Sequence, residues 1–263
     1  MSATDTSAAL AGGPLAGLLS RAGEDFDDLS YAGDVTVSPP LRPFVIAHLA
    51  RRRPLLVVTP TLADAEALAD DVAAFVPDGT VEVFPPWETL PHERLSPQPS
   101  TVGRRLRVLD RLRDAGEEED DRPDGDQPLQ IVIAPVRAVL QPMDPRLTER
   151  TPLRITSGWA GGLTGLTEQL AALGYTRGSM VTQRGEFAQR GGLVDVFGTT
   201  DDHPVRIEFW GDDVDEIRTF SVSDQRALET LDAITIHAAR ELVLDTETRE
   251  TARKLAQQVP ALA

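Results

Sequence analysis

The chain contains no cysteine, so neither disulfides nor thiolate metal sites can contribute to its stability or chemistry. Lysine is almost as scarce: Lys254 is the only one, and arginine supplies the remainder of the 26 basic residues. A GC-rich genome and a halophilic habit both produce that bias, and composition does not separate them. Histidine occurs four times, at positions 48, 92, 203 and 237, far apart and without an H-E-x-x-H motif, which argues against a zinc site. No metal and no cofactor is expected. Apolar runs such as Leu55 to Val58 fall far short of the roughly 20 residues that span a bilayer. Met1 to Leu19 lacks a basic leader and an uninterrupted apolar segment, so no signal peptide is read and the expected location is the cytoplasm. Positive charge is also short: 42 acids face 26 bases, a formal net charge of −16. A field of that sign opposes non-specific nucleic-acid binding, although it leaves room for a local basic patch.

What is present is enough for a buried core, with 41 % hydrophobic residues in 263. Residues 1–34 are rich in Ala, Gly, Ser and Asp and read as a loose arm. Order is expected from Val35. Phe44 to Ala50 has helical apolar spacing and ends in Arg51-Arg52-Arg53-Pro54, a cationic last turn before a helix breaker. Leu55 to Val58 reads as a buried strand of the kind parallel sheets use. Thr61 is placed to cap the next helix, with Asp64 in its first turn, and Leu62, Ala65, Leu68, Val72 and Phe75 form its apolar stripe. Val81 to Phe84 is a second strand, which completes a βαβ unit. A helix over 102–113 follows, with Leu106, Leu109 and Leu112 on one side, then an acidic loop over 114–127, then a strand at Ile131 to Ala134 and a short helix at Val136 to Leu140.

From about residue 151 short strands replace this rhythm, at Leu153 to Ile155, Leu193 to Phe197, Val205 to Trp210 and Ile217 to Phe220, with one helix around Thr167 to Leu173. That is the pattern of a smaller α+β domain, set here at 151–235 beside an α/β region at 35–150. Glu241 to Gln258 reads as helix and runs on without a stop signal, so residues 236–263 are expected to begin a further domain cut inside a larger protein.

A parallel sheet invites a search for a phosphate loop before the first helix. Ala32 to Pro40 offers no lysine, no second glycine and two prolines, which delete amides a phosphate would need. Arg104, Arg107 and Arg111 share a helix face. They read as a nucleic-acid surface or as a solvated face opposite the leucines, and the solvated face is preferred. Phe84 to Leu95 holds two acids and a histidine without a nucleophile, and its prolines make it a rigid connector with Trp87 tucked into the core.

The strongest local pattern is Gln183 to Gly192, a turn-rich stretch with Arg184 and Arg190, leading through Leu193 to Phe197 into Val205 to Trp210. Strand alternation puts Val205, Ile207 and Phe209 on the core face and Arg206, Glu208 and Trp210 on the other. Such a trio is either a protein-docking surface, since Trp and Arg dominate interface hot spots, or an intrastrand Arg–Glu pair beside a half-buried Trp. Chemistry alone does not separate the two.

The same residues carry a resemblance. Trp87-Glu88-Thr89-Leu90-Pro91, Ser96-Pro97, Gly174-Tyr175, Arg184-Gly185-Glu186-Phe187, Arg190-Gly191-Gly192, Arg206-Ile207-Glu208-Phe209 with Gly211-Asp212, Arg218-Thr219-Phe220 and Asp224-Gln225-Arg226 occur in this order over about 35–250. Together they resemble the N-terminal module of the bacterial transcription-repair coupling factors (the Mfd family), which is itself similar to the excision-repair helicase UvrB. The resemblance implies a RecA-like parallel-sheet domain with a degenerate nucleotide site, plus a smaller α+β UvrA-binding domain. It implies a non-catalytic adaptor that recruits UvrA, with RNA polymerase and DNA bound through domains absent from this chain. By motif it carries UvrA contacts onto Arg190 and Arg206, with Glu208 and Trp210 beside them and Arg184 and Phe187 on weaker grounds. The tyrosine-rich hairpin with which UvrB grips damaged DNA has no counterpart after Phe84, and the chain has only Tyr31 and Tyr175. On this reading Arg206→Glu is expected to abolish docking without unfolding the domain. The alternatives are a DNA-binding module working through the Arg104 face and an ATP-dependent helicase fragment of UvrB type.

Overall fold

The computed structural model describes residues 33–90, 93, 95–114, 128–149, 151–242 and 246–259. The expected arm up to residue 32 and the acidic loop from 115 onward lie outside the described residues. By contacts the chain divides into two compact units. One is Arg111–Gln141 with the chain up to Pro86, and the other is Trp87–Asp110 with the chain from Pro142 onward.

The first unit is built on a three-stranded parallel sheet. Strand β1 (Leu55–Thr59) and strand β2 (Val81–Val83) both pair with β3 (Ile131–Pro135), giving the order β1-β3-β2. Central β3 is buried along its whole length, as a strand paired on both edges in a parallel sheet should be. Helices α1 (Arg42–Ala50) and α2 (Leu62–Ala73) supply Ala50, Ala65 and Val72 to a core with Val83, Ile131 and Ile133. The Thr61 cap forms as a reciprocal box. Asp64 N–H donates to Thr61 Oγ1 at 3.1 Å, and Thr61 N–H donates back to Asp64 Oδ2 at 3.2 Å. Thr61→Ala is therefore expected to cost about 1 kcal/mol in urea unfolding; no change would mean that the box adds nothing to the helix.

Two details of this unit differ from the sequence reading. Strand β1 is an edge strand: Leu55 and Val57 pack inward, whereas Leu56 and Val58 are exposed, so the expected continuous burial is not found. Phe75 lies beyond the end of α2 and stacks edge-on against Phe44, with ring centroids 5.9 Å apart.

The second unit contains a six-stranded sheet in the order β10-β9-β8-β7-β6-β5. Its strands are β5 (Thr176–Arg177), β6 (Glu186–Arg190), β7 (Leu193–Val196), β8 (Val205–Trp210), β9 (Asp213–Phe220) and β10 (Ala227–Thr230). All pairings are antiparallel except β5 with β6. A two-stranded ribbon, β4 (Leu153–Thr156) with β11 (Ala233–Ile236), belongs to the same unit, as does a helix, Gly162–Ala172. Phe187, Val194, Val196, Val205, Ile207 and Ile217 leave one face of the sheet and pack with Leu166 and Leu170 of that helix and with Ile155, Ile234 and Ile236 of the ribbon. One face of the sheet is thereby committed to the core, and by strand alternation the other is free for different chemistry.

Helix Pro99–Asp114 contributes residues to both units, which are therefore discontinuous in sequence. Within the second unit its Val102 and Leu106 pack with Leu147 and Ala238. Within the first, Arg111 Nη1 pairs with Glu82 at 3.0 Å and its Nη2 donates to the carbonyl of Gly79. The preferred solvated arginine face is corrected accordingly. Arg111 is engaged, Arg104 and Arg107 are half-buried, neighbouring Arg105 is fully buried, and Leu112 of the expected apolar side is exposed.

Candidate protein-docking face

The free face of the six-stranded sheet follows from its register. Ala188, Asp195, Arg206 and Arg218 stand opposite one another across β6, β7, β8 and β9, and the next row is Arg190, Leu193, Glu208 and Glu216. Residues paired across an antiparallel ladder project to the same side. Two turns hold this register. Gly191 takes φ +59° in the β6–β7 hairpin and Gly211 takes φ +67° in the β8–β9 hairpin, backbone conformations that favour glycine. A one-residue shift then follows: Glu208 pairs with Glu216 but Phe209 with Val214, which leaves Asp215 as a bulge and sets Trp210 opposite Asp213.

The electrostatics of the face are ordered by a residue that sequence reasoning missed. Asp195 is 1 % exposed. Its Oδ1 accepts from Arg206 Nε at 2.6 Å, and its Oδ2 accepts from Arg206 Nη2 at 2.9 Å and from Arg190 Nη2 at 2.5 Å. Hydrogen bonding to Asp195 holds the Arg206 guanidinium above its ordinary pKa, with burial working against it. Beneath it lies the Phe220 ring, whose centroid is 4.6 Å from Arg206 Cζ. Arg218 joins the other two acids of the face, with Nη1 on Glu216 at 2.8 Å and Nη2 on Glu208. Three arginines thus meet three carboxylates, so the face is charge-compensated and lacks the surplus cations that phosphate binding needs.

The structure brings Arg190, Arg206, Glu208 and Trp210 together on this face and divides them by reach. Trp210 is 83 % exposed, the Arg190 side chain 45 % and the Arg206 side chain only 14 %. The direct Arg206–Glu208 pair considered from the sequence is replaced by Arg206–Asp195 and Arg218–Glu208, and the half-buried Trp by an exposed one. Arg184 lies off the two rows. Its Nε donates to the Asp201 carbonyl at 2.8 Å, and its Cζ sits 5.2 Å from the Phe197 ring centroid. Phe187 is a core residue, 2 % exposed and on the opposite face, so its place in the motif is a packing role.

Two other polar groupings belong to the second unit. Trp87 is half-buried rather than deeply tucked in, and its indole N–H donates to Glu241 Oε1 at 2.9 Å. Arg105 pairs with the same oxygen at 2.5 Å, at the wall of an apolar groove of about 510 Å³ lined by Leu90, Leu95, Val102, Leu147 and Leu242. Farther along, His237 Nδ1 lies 2.9 Å from Asp110 Oδ2, and the Tyr175 hydroxyl donates to the His237 carbonyl at 2.9 Å. Burial pushes the nearby Asp201 carboxyl above the usual range, with His237 and then Arg184 pulling it back, and its buried Oδ2 has no hydrogen-bond partner among the described residues. A raised folded-state pKa favours the protonated form, so this contribution is complete below the unfolded value and lost as pH rises through the folded one. Asp201→Asn is therefore expected to raise the melting temperature at pH 7, with the gain closing towards pH 3. A lower melting temperature at pH 7 would mean that the carboxylate is held by a favourable partner instead.

Among the described residues no helix is long and apolar enough to cross a membrane, and no group of three or more His, Asp or Glu is placed to hold a metal ion. Comparison with known proteins points to one family. Residues 153–242, which include the whole charged face, match the UvrB interaction domain. The transcription-repair-coupling factor of Mycobacterium tuberculosis is 45 % identical over 246 residues, covering 93 % of this chain and 19 % of that protein. The transcription-repair-coupling factor of Bacillus subtilis is 33 % identical over 76 % of the chain and 16 % of its own length, and that of Escherichia coli 29 % identical over 80 % and 17 %. The chain spans under a fifth of the length of these relatives. Along 93 % of its length the chain is homologous to a segment of the mycobacterial transcription-repair-coupling factors, and its residues 153–242 match the UvrB interaction domain.

Proposed function

We propose that this chain is a non-catalytic adaptor that docks the excision-repair protein UvrA in transcription-coupled DNA repair, and that it does so through the charged face of β6 to β9. The observation that carries this reading is the grouping of Arg190, Arg206, Glu208 and Trp210 on one side of a sheet whose other side is core, within the segment that matches the UvrB interaction domain. A large exposed aromatic beside ordered arginines has the composition of an interface hot spot. Charge-assisted hydrogen bonds from arginine to partner carboxylates would supply direction, and Trp210 would bury apolar area.

The first unit fits this reading as a degenerate RecA-like domain, a parallel sheet whose first helix is preceded by Ser38-Pro39-Pro40 rather than a phosphate loop. Contacts with RNA polymerase and DNA are assigned to parts of the longer relatives that lie outside this chain. The test is co-elution of this chain with UvrA in size-exclusion chromatography with light scattering. A stoichiometric complex is expected, and separate elution of the folded chain at micromolar concentrations would overturn the proposal.

A further inference from the structure

Every group around Arg206 acts to immobilise it. Asp195 takes two of its N–H groups, Phe220 supports its guanidinium, and Gln225 Oε1 accepts from Nη2 at 3.2 Å. Gln225 is itself anchored, donating from Nε2 to the Val222 carbonyl at 3.1 Å, and it takes φ +60°, alone among the described non-glycine residues in lying at positive φ. A non-glycine residue persists there only when its surroundings impose it. Arg190 is held differently. It shares Asp195 Oδ2 through one nitrogen, while its Nε and Nη1 meet no acceptor among the described residues. One edge of its guanidinium is tied to a buried carboxylate and the remainder faces outward.

We propose that Asp195 is the positioning residue of this face: it fixes Arg190 so that the open edge of its guanidinium meets a partner carboxylate. This rests on the reading of the face as the UvrA-docking surface. The chemistry fitted is a side-chain carboxylate approaching edge-on, about 10 Å across two strand spacings from the β8 row that ends in Trp210. A guanidinium offers a planar fork for such a group, and when its other edge is already fixed less freedom is lost on binding. Arg206 contributes indirectly, by sharing the charge of Asp195 and keeping the carboxylate oriented.

Two variants test this by calorimetric titration against UvrA from the same organism. Asp195→Asn is expected to weaken binding roughly tenfold or more in the wild-type background and to have no further effect when Arg190 is already alanine. An equal factor in both backgrounds would assign Asp195 a purely structural role and overturn the proposal, as would no effect in either. Arg190→Lys alters only an exposed side chain, so it decides the matter even if Asp195→Asn fails to fold. It keeps the charge but loses the fork, and should also bind roughly tenfold more weakly. Lysine binding as tightly as arginine would show that a point charge suffices and would overturn the proposal. If the wild-type chain itself does not bind, the docking reading fails and this inference goes with it, an outcome distinct from wild-type binding with indifferent variants.

Discussion

Arg206→Glu is expected to unfold the second unit rather than only to weaken docking. The new carboxylate would stand against Asp195, which is 1 % exposed and would lose the partner that satisfies both its oxygens. Removing one member of a buried ion pair costs about 3–5 kcal/mol because the remaining charge is left uncompensated, and like charges in contact add to that. Loss of the stack on Phe220 opens the same region further. A thermal or urea melt of the variant should show the loss directly. A melt close to wild type would mean that Asp195 is rescued by Arg190 alone, and it would restore the expectation from sequence that this substitution reports on docking without disturbing the fold.

Trp210→Ala should behave in the opposite way. At 83 % exposure the indole has little to lose on truncation, so stability should stay within about 0.5 kcal/mol of wild type. Docking should suffer by about 2–4 kcal/mol if the ring is an interface anchor, roughly 30- to 1000-fold in Kd. The position explains the asymmetry. Trp210 is the last residue of β8, its backbone paired with Asp213 next to the bulge at Asp215, and the Gly211-Asp212 turn follows it. Calorimetry beside a melting curve separates the two effects; unchanged affinity would remove Trp210 from the interface.

Several of these features are legible from local pattern. The Thr61 cap with Asp64, the strand–helix–strand run of the first unit and the alternation along Val205 to Trp210 depend on neighbours in sequence, and the structure carries each of them. The glycines around strand β6 give its sequence the look of a turn. The signal was nonetheless present, since Gly191-Gly192 between Gln189-Arg190 and Leu193-Val194 is a two-residue hairpin connection. Asp195 is silent in the sequence for a different reason. Within Leu193 to Val196 it is one polar residue in an apolar strand, and its importance comes from Arg190 and Arg206 on the two flanking strands. The contrast between buried Arg105 and its half-buried neighbour Arg104 is likewise tertiary: the acid that pairs with Arg105, Glu241, lies 136 residues away. Asp110 and His237 are 127 apart. Short-range periodicity identifies elements and their faces, but it cannot name the partner that a charge will meet across the fold.

On the proposed reading UvrA meets the charge-compensated face of β6 to β9, and Arg190 is the most exposed of its three arginines. The most direct measurement is a calorimetric titration of UvrA with the wild-type chain and with Arg190→Ala, which leaves Arg206 bonded to both Asp195 oxygens, each checked by a melting curve. Saturable binding by the wild type, with no detectable binding by a variant of nearly unchanged melting temperature, is the expected result. Equal binding by both would place the docking surface elsewhere on the chain and contradict the assignment of this face.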